Sequence, residues 1–310
     1  MDAALLPALY DAMMVARTGS VGLAARRLGK TPSAVSQQIR HLSDALGVSL
    51  FERRGRGLVP TPAAEQILPV ATRLFDEAEA VFRLFGDLTG KSSTTLRLAA
   101  SDYLAKPLLV PVLRELAQEG APLHFEISTA HSEEAISLLE RGDVEMAIVS
   151  FAGERAGVAA RTLFEQPFYW VGPKRHKDRR SLVERLEHEP VLRLGAGSVG
   201  RKLLDDYLAR EGLRPASTID VPSVSLLLAY AAGGIGIGLA PALPLDPAEA
   251  RSLVIERAPV ASLPVKLLTR EGRPRAPAIE RFVERLVAEA NKKRSRLGAH
   301  RALFDDASRR

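Results

Sequence analysis

The 310-residue sequence contains no cysteine. That absence excludes disulfides, thiolate metal ligands and cysteine nucleophiles, and it suits a reducing compartment, so a cytoplasmic location is expected. No apolar run reaches the roughly 18 residues needed to cross a bilayer. The first residues, MDAALLPALYDAMM, have no basic stretch before an apolar one and no cleavage site, so neither a signal peptide nor a membrane span is expected. The six histidines are scattered and form no HxxxH-type pair, so no metal site is expected. Ser181 and Ser225 lie in no GxSxG setting, and no catalytic residue or enzyme activity is expected from them.

What remains is an ordinary globular composition, 46% hydrophobic, in a chain long enough for two or three domains with cores of their own. The charge is unevenly spread. Residues 1–60 carry eight Lys and Arg against four acids, residues 61–289 carry 28 against 31, and residues 290–310 carry seven against two. A basic module at each end of a slightly acidic body points to a polyanionic partner for the module rather than for the body.

In the first sixty residues, Leu5, Leu6, Leu9, Met13 and Ala16 fall at helical spacing and predict a first helix ending near Gly19. Ser20 can cap a short second helix, VGLAARRLG, whose Ala24, Ala25 and Leu28 face inward. After a turn at Gly29, Thr31-Pro32 opens a third helix with an N-cap residue and a proline at its first position. Val35, Ile39, Leu42 and Leu46 form its buried stripe, while Ser33, Ser36, Gln37 and Arg40 share the opposite face. On an isolated helix such a face is more often merely solvated. Behind a tight helix–turn pair in a basic module it is suited to a DNA major groove, where Gln reads adenine, Arg reads guanine and Ser reaches bases or phosphates. Leu50-Phe51 then plugs the small core, and Arg53, Arg54 and Arg56 cluster around Gly55 and Gly57. Those glycines allow a hairpin that projects the arginines toward a minor groove or phosphates.

The stretch SVGLAARRLGKTPSAVSQQIRHLSDALGVSLFERRGRGLVPTPAAEQILP resembles the winged helix-turn-helix of LysR-type transcriptional regulators. The resemblance rests on Ala24-Ala25, Leu28, Pro32 to Ser36, Gln38-Ile39, Leu42, Leu46-Gly47, Leu50-Phe51, Arg53 and Thr61. Two positions depart from the family pattern. Thr31 stands where Gln is usual and reaches less far toward a base, and Ala64 stands where Gly is usual. The resemblance implies a winged helix-turn-helix DNA-binding domain over 1–60. Its DNA-contacting residues would be Thr31, Ser33, Ser36, Gln37, Arg40, Arg53, Arg54 and Arg56.

From Thr61-Pro62 a long helix is predicted. Ile67, Ala71, Leu74, Ala78, Val81 and Phe85 alternate by four and three, and Leu68, Phe75 and Phe82 widen the row. The stripe is longer than a sixty-residue domain can cover, and the family uses this helix for dimerisation. Residues 61–90 are therefore expected to form a linker helix holding a homodimer, with the tetramer common in the family. Pro69 is expected to bend its first turns.

Beyond residue 91, strand and helix patterns alternate and predict parallel α/β sheets with ligands at the strand C-terminal ends. LLERGDVEMAIVS and AYAAGGIGIGLAP resemble LysR-type effector domains, which implies a two-lobed α/β fold of the periplasmic-binding-protein type over 91–290. Lobe I would span about 91–163 and 268–290, lobe II about 164–267, with a basic tail at 291–310. The stretch VLRLGAGSVGRKLLDDYL carries a literal GxGxxG. It lacks the hydroxyl that a P-loop needs after its Lys, and it opens a half-lobe rather than a fold, so no nucleotide cofactor is expected. Two readings stay open: a structural turn, or a helix N-terminus at Gly197-Ser198 facing a small polar or anionic effector. On the implied fold, Ser101, Asp102, Thr129 and His131 would face the same effector, with Phe151 as an apolar wall and Gln166 as a hydrogen-bonding group on the crossover. The partners expected are a double-stranded DNA operator and a small-molecule effector, with no membrane.

Overall fold

The computed structural model describes residues 3–54, 57–88, 94–120, 123–150, 153–174, 180–245, 252–272 and 276–307. Two compact units divide the chain, Met1–Ser92 and Ser93–Arg310. Among the described residues no helix is long and apolar enough to cross a membrane.

The first unit is built from α1 (Leu6–Thr18), α2 (Val21–Leu28), α3 (Pro32–Leu46), a hairpin of β1 (Phe51–Arg54) and β2 (Gly57–Pro60), and α4 (Pro62–Leu88). Its helix ends follow local chemistry. The Ser20 hydroxyl accepts from Leu23 N, and Gly29, at φ +65°, closes α2. Left-handed backbone of this kind carries no steric penalty at glycine. Thr31 accepts from Ala34 N with Pro32 behind it. Ala8, Ala12, Met13, Ala24, Val35, Leu42 and Leu50 make the core.

The long helix α4 runs through Pro69 without interruption. Its apolar row divides in two. Leu68 and Ala71 are buried, Ile67 and Phe75 pack on the module's own core, and Phe75 meets Tyr10 edge-on at 4.9 Å. Leu74, Val81 and Phe82 stay exposed, at 45%, 50% and 75%, beside Val70. The row expected as one seam therefore serves its own domain in the first half and is uncovered in the second. The Phe85 side chain lies outside the described ones.

The second unit holds two five-stranded sheets. The first, in the order β4-β3-β5-β12-β6, comprises β3 (Thr94–Ala100), β4 (Leu123–Thr129), β5 (Met146–Ser150), β6 (Val158–Gln166) and β12 (Leu263–Arg270). The second, in the order β11-β7-β10-β8-β9, comprises β7 (Phe168–Pro173), β8 (Val191–Leu194), β9 (Thr218–Val221), β10 (Ile237–Pro241) and β11 (Leu253–Arg257). Packed on them are α5 (Asp102–Gln118), α6 (Ser132–Glu140), α7 (Leu182–Arg185), α8 (Val199–Glu211), α9 (Val224–Ala232) and α10 (Pro277–Ala307).

The sheets are mixed rather than all parallel. β3–β4, β3–β5, β8–β9 and β8–β10 run parallel, whereas β12 lies antiparallel to β5 and β6, and β7 antiparallel to β10 and β11. The chain passes between sheets at residues 166–168 and again at 257–263. β6 runs on into β7 across one crossing and β11 runs back into β12 across the other, so β12 lies antiparallel to β6 and β11 antiparallel to β7. Lobe II was expected over about 164–267, but Phe164 to Gln166 and Leu263 to Leu267 belong to strands of the first sheet. Residues 291–307 continue α10, with Leu297 buried in the main core.

Candidate functional site

The first candidate surface is the outer side of α3. Its inner side is fixed by Val35, Ile39 and Leu42, and 3.6-residue periodicity then presents Ser33, Ser36, Gln37 and Arg40 outward. Ser33, Gln37 and Arg40 are exposed and Ser36 half-buried. Arg40 Nε donates to Ser36 O at 3.3 Å, holding the guanidinium along the helix. Thr31 is exposed but occupied, capping Ala34 N at 3.2 Å and lying 3.1 Å from the Ser33 hydroxyl. A groove between α3 and the hairpin brings Ser36, Arg40 and Arg53 together, with Ser43, Asp44 and Ser49. The last three were not singled out from the sequence, because they follow the reading face by a turn or lie past the helix end. Arg54 is exposed at the end of β1, opposite Gly57. Arg56 lies outside the described residues.

The second candidate is a cleft between the two sheets. Ser101, Asp102, His131 and Ser198 line it, as do Tyr103, Ser132, Ser223 and Pro222, with Phe168, Leu194 and Pro241 as apolar wall. The N-termini of α5, α6, α8 and α9 all open onto it, the first two from one sheet and the others from the second. Four helix N-termini direct partial positive charge toward the cleft, beside the carboxylate of Asp102. No Lys or Arg is among the lining residues.

The hydroxyls differ in their occupation. Ser198 accepts from Arg201 N at 3.2 Å and Ser223 from Leu226 N at 3.2 Å, so each keeps its own proton to donate. Ser101 and His131 make no side-chain cap. Ser132 donates to Ser150 O at 3.1 Å. Burial pushes the Tyr103 hydroxyl up to about 12, against hydrogen bonding from Ser150 and Ser101, so it stays a neutral donor. Two contacts span the cleft. The Ser225 hydroxyl donates to Asp102 Oδ2 at 3.4 Å, and the His131 ring faces the turn before α8, where a Cβ at Gly195 or Gly197 would lie 3.8 Å from it.

The GxGxxG turn has a packing explanation. A Cβ at Gly200 would come within 2.9 Å of Leu194 Cδ1, so that glycine lets α8 close on β8. Arg201 is engaged elsewhere, donating to Leu194 O at 3.1 Å, Asp220 at 3.0 Å and Asp205 at 2.6 Å. Neither it nor Asp220 is available as a phosphate or ribose ligand.

Of the other expected residues, Thr129 is exposed and does not line the cleft. Gly197 faces His131 from just outside the lining. Gln166 is fully buried and does not line the cleft, and both ends of its amide lack a hydrogen-bond partner among the described residues. Phe151 lies outside the described residues. Tyr103, Ser132 and Ser223 were missed. Ser223 before an apolar helix is the same cap signal as Ser198, and Tyr103 is one residue past a position already singled out.

Comparison with known proteins follows the same division. Residues 8–65 match the family of bacterial regulatory helix-turn-helix proteins of the lysR type, and residues 89–291 match the LysR substrate binding domain. An HTH-type transcriptional regulator of Shigella flexneri, YfeR, is 28% identical over 273 residues, 86% of this chain and 88% of that protein. The crystal structure of ArgP from Mycobacterium tuberculosis superposes with a TM-score of 0.66 at 23% identity, covering 92% of this chain and 96% of that one. Full-length LysG from Corynebacterium glutamicum with bound effector Arg gives a TM-score of 0.53 at 23% identity, over 92% and 97%.

Proposed function

Because the chain belongs to the LysR family of transcriptional regulators, we propose that it reads an operator through α3 and the β1–β2 hairpin under control of a small effector held between its two sheets. The observation that carries the effector half is the convergence of Ser101 and Ser198, from different sheets, on one cleft. A ligand bonded to both would favour the closed arrangement, and differential affinity for that arrangement is what shifts an equilibrium. The lining favours a ligand with a carboxylate or other compact acceptor group. Helix N–H groups and three serine hydroxyls can hold such a group, while Asp102 disfavours a second negative charge beside it and welcomes a donor.

Ser33, Ser36, Gln37 and Arg40 would face base edges, and Arg53 and Arg54 the backbone. The exposed row Leu74, Ala78, Val81 and Phe82 supports dimerisation through the second half of α4, which would present two reading helices to matched half-sites. The protein acts by binding rather than turnover. A cytoplasmic site of action follows from that role.

Selection of duplexes from a random-sequence library by the full chain tests the operator half. Gln37→Ala should then relax preference at one position by roughly 1–3 kcal/mol, and Arg54→Ala should weaken selected and scrambled duplexes alike. If neither variant changes binding to either duplex, the reading face is elsewhere.

A further inference from the structure

Asp11 sits in the middle of α1 among Ala8, Ala12, Met13, Met14 and Val15, and its side chain is 0% exposed. A carboxylate in such a place is strongly unfavourable unless paired. Its partner is Lys30, whose Nζ lies 2.7 Å from Oδ1 and 2.8 Å from Oδ2. Lys30 belongs to the turn between α2 and α3. Its backbone N–H closes α2 by donating to Ala25 O at 2.9 Å, and the next residue, Thr31, caps α3.

We infer that the Asp11–Lys30 pair is a positioning device for DNA reading: it anchors the start of α3 to α1 and withdraws Lys30 from contact with phosphates. Three restraints meet at two consecutive residues: the α2 closure, the ion pair and the α3 cap. Without the pair, the turn is held to α2 and α3 but not to α1, and the start of α3 can shift against the helix it packs on. A shift of that kind displaces Ser33, Ser36, Gln37 and Arg40 together. Base readout depends on such placement, whereas phosphate attraction is tolerant of it. A lysine in the turn leading into a reading helix would ordinarily count toward the electrostatic footprint. Here both carboxylate oxygens hold its ammonium, and the net charge it offers DNA is near zero.

This inference rests on the operator-binding reading above. The experiment uses the full chain, a duplex selected by the wild-type protein from a random-sequence library, and a scrambled duplex of equal length. Binding of Lys30→Arg, Lys30→Met and the charge-free double variant Asp11→Leu/Lys30→Met is measured across a salt series. The double variant leaves no orphaned charge, so it remains informative even where Lys30→Met fails to fold. The expected result is a selected-to-scrambled affinity ratio at least about tenfold lower in the double variant. Scrambled binding and the salt slope should stay as in wild type, and Lys30→Arg, which can grip both oxygens, should keep the ratio. A salt slope that falls by about 0.9, with both duplexes weakened together, would mark Lys30 as a phosphate ligand and overturn the inference. An unchanged ratio in the double variant would overturn it too, by showing that the two charges only neutralise each other. Failure of the wild-type chain to select any sequence would instead refute the operator reading itself.

Discussion

Two serines at the cleft differ in one respect that makes them a controlled pair. Ser198 does two jobs: its oxygen caps α8 by accepting from Arg201 N at 3.2 Å, and its own proton remains to donate into the cleft it lines. Ser101 lines the same cleft but makes no side-chain cap on α5. Ser198→Ala should therefore lower the ligand-free stability of the effector unit by about 1 kcal/mol, the usual cost of a lost N-cap. Ser101→Ala should cost less, since the Tyr103 hydroxyl near it keeps Ser150 as a neighbour. Ligand affinity should respond to both. A hydrogen bond to a charged group contributes roughly 1.5–3 kcal/mol, which at 1.4 kcal/mol per tenfold is roughly a 10- to 150-fold loss in each variant. Urea melts without ligand measure the first quantity. Calorimetry with a carboxylate-bearing metabolite, first found by thermal shift against a panel, measures the second. Affinity unchanged in Ser101→Ala, with Ser198→Ala weakened only as far as its lost stability, would refute the two-sided cleft.

The other expectations are independent of the ligand. Leu74→Asp puts a charge on the exposed α4 row, and sedimentation of the full chain should show smaller species, with operator affinity falling alongside; an unchanged sedimentation profile places the interface elsewhere. Gly236→Ala would drive a Cβ into Pro190 O, the carbonyl that accepts Ile237 N at 2.9 Å. Overpacking against backbone there should cost about 1–3 kcal/mol in denaturant, and a wild-type midpoint would contradict that contact. The Tyr103 phenol is held near 12 against an ordinary 10, so the folded state favours its neutral form. That contribution is complete below about pH 10 and disappears as pH rises toward 12, amounting to about 2 kcal/mol by pH 11.5. Tyr103→Phe should show a correspondingly shallower decline between about pH 9 and pH 11.5, and identical declines would remove the cause assigned here.

The DNA-reading module was legible because its determinants are local. Ser20, Gly29, Thr31-Pro32 and Thr61-Pro62 each specify a helix boundary within four residues, and the α3 face follows from periodicity alone. The effector unit was legible in its strands and helices but not in their pairing. Nothing in VAARTLFEQ or LPVKLLTR announces that these segments run antiparallel to each other across most of their length, because pairing direction is set by where the chain must return. Gln166, expected as a hydrogen-bonding group toward the effector, is fully buried at a crossing and does not line the cleft. In α4 the spacing of apolar residues was right, but spacing cannot say that Leu68, Ala71 and Phe75 are already claimed by Tyr10 and its neighbours.

The two passages between the sheets lie side by side. Gln166 is registered with Leu263 across β6 and β12, and Ala258 N donates to Phe168 O at 3.1 Å just beyond them. They form a two-ply tape whose plies are bonded to each other on both sides of the joint. Such a tape can bend or twist, but neither ply can slide or lengthen without breaking backbone hydrogen bonds. If a ligand closes the cleft as proposed, the closure would have to bend or twist this tape, because it could not pull either ply along the other.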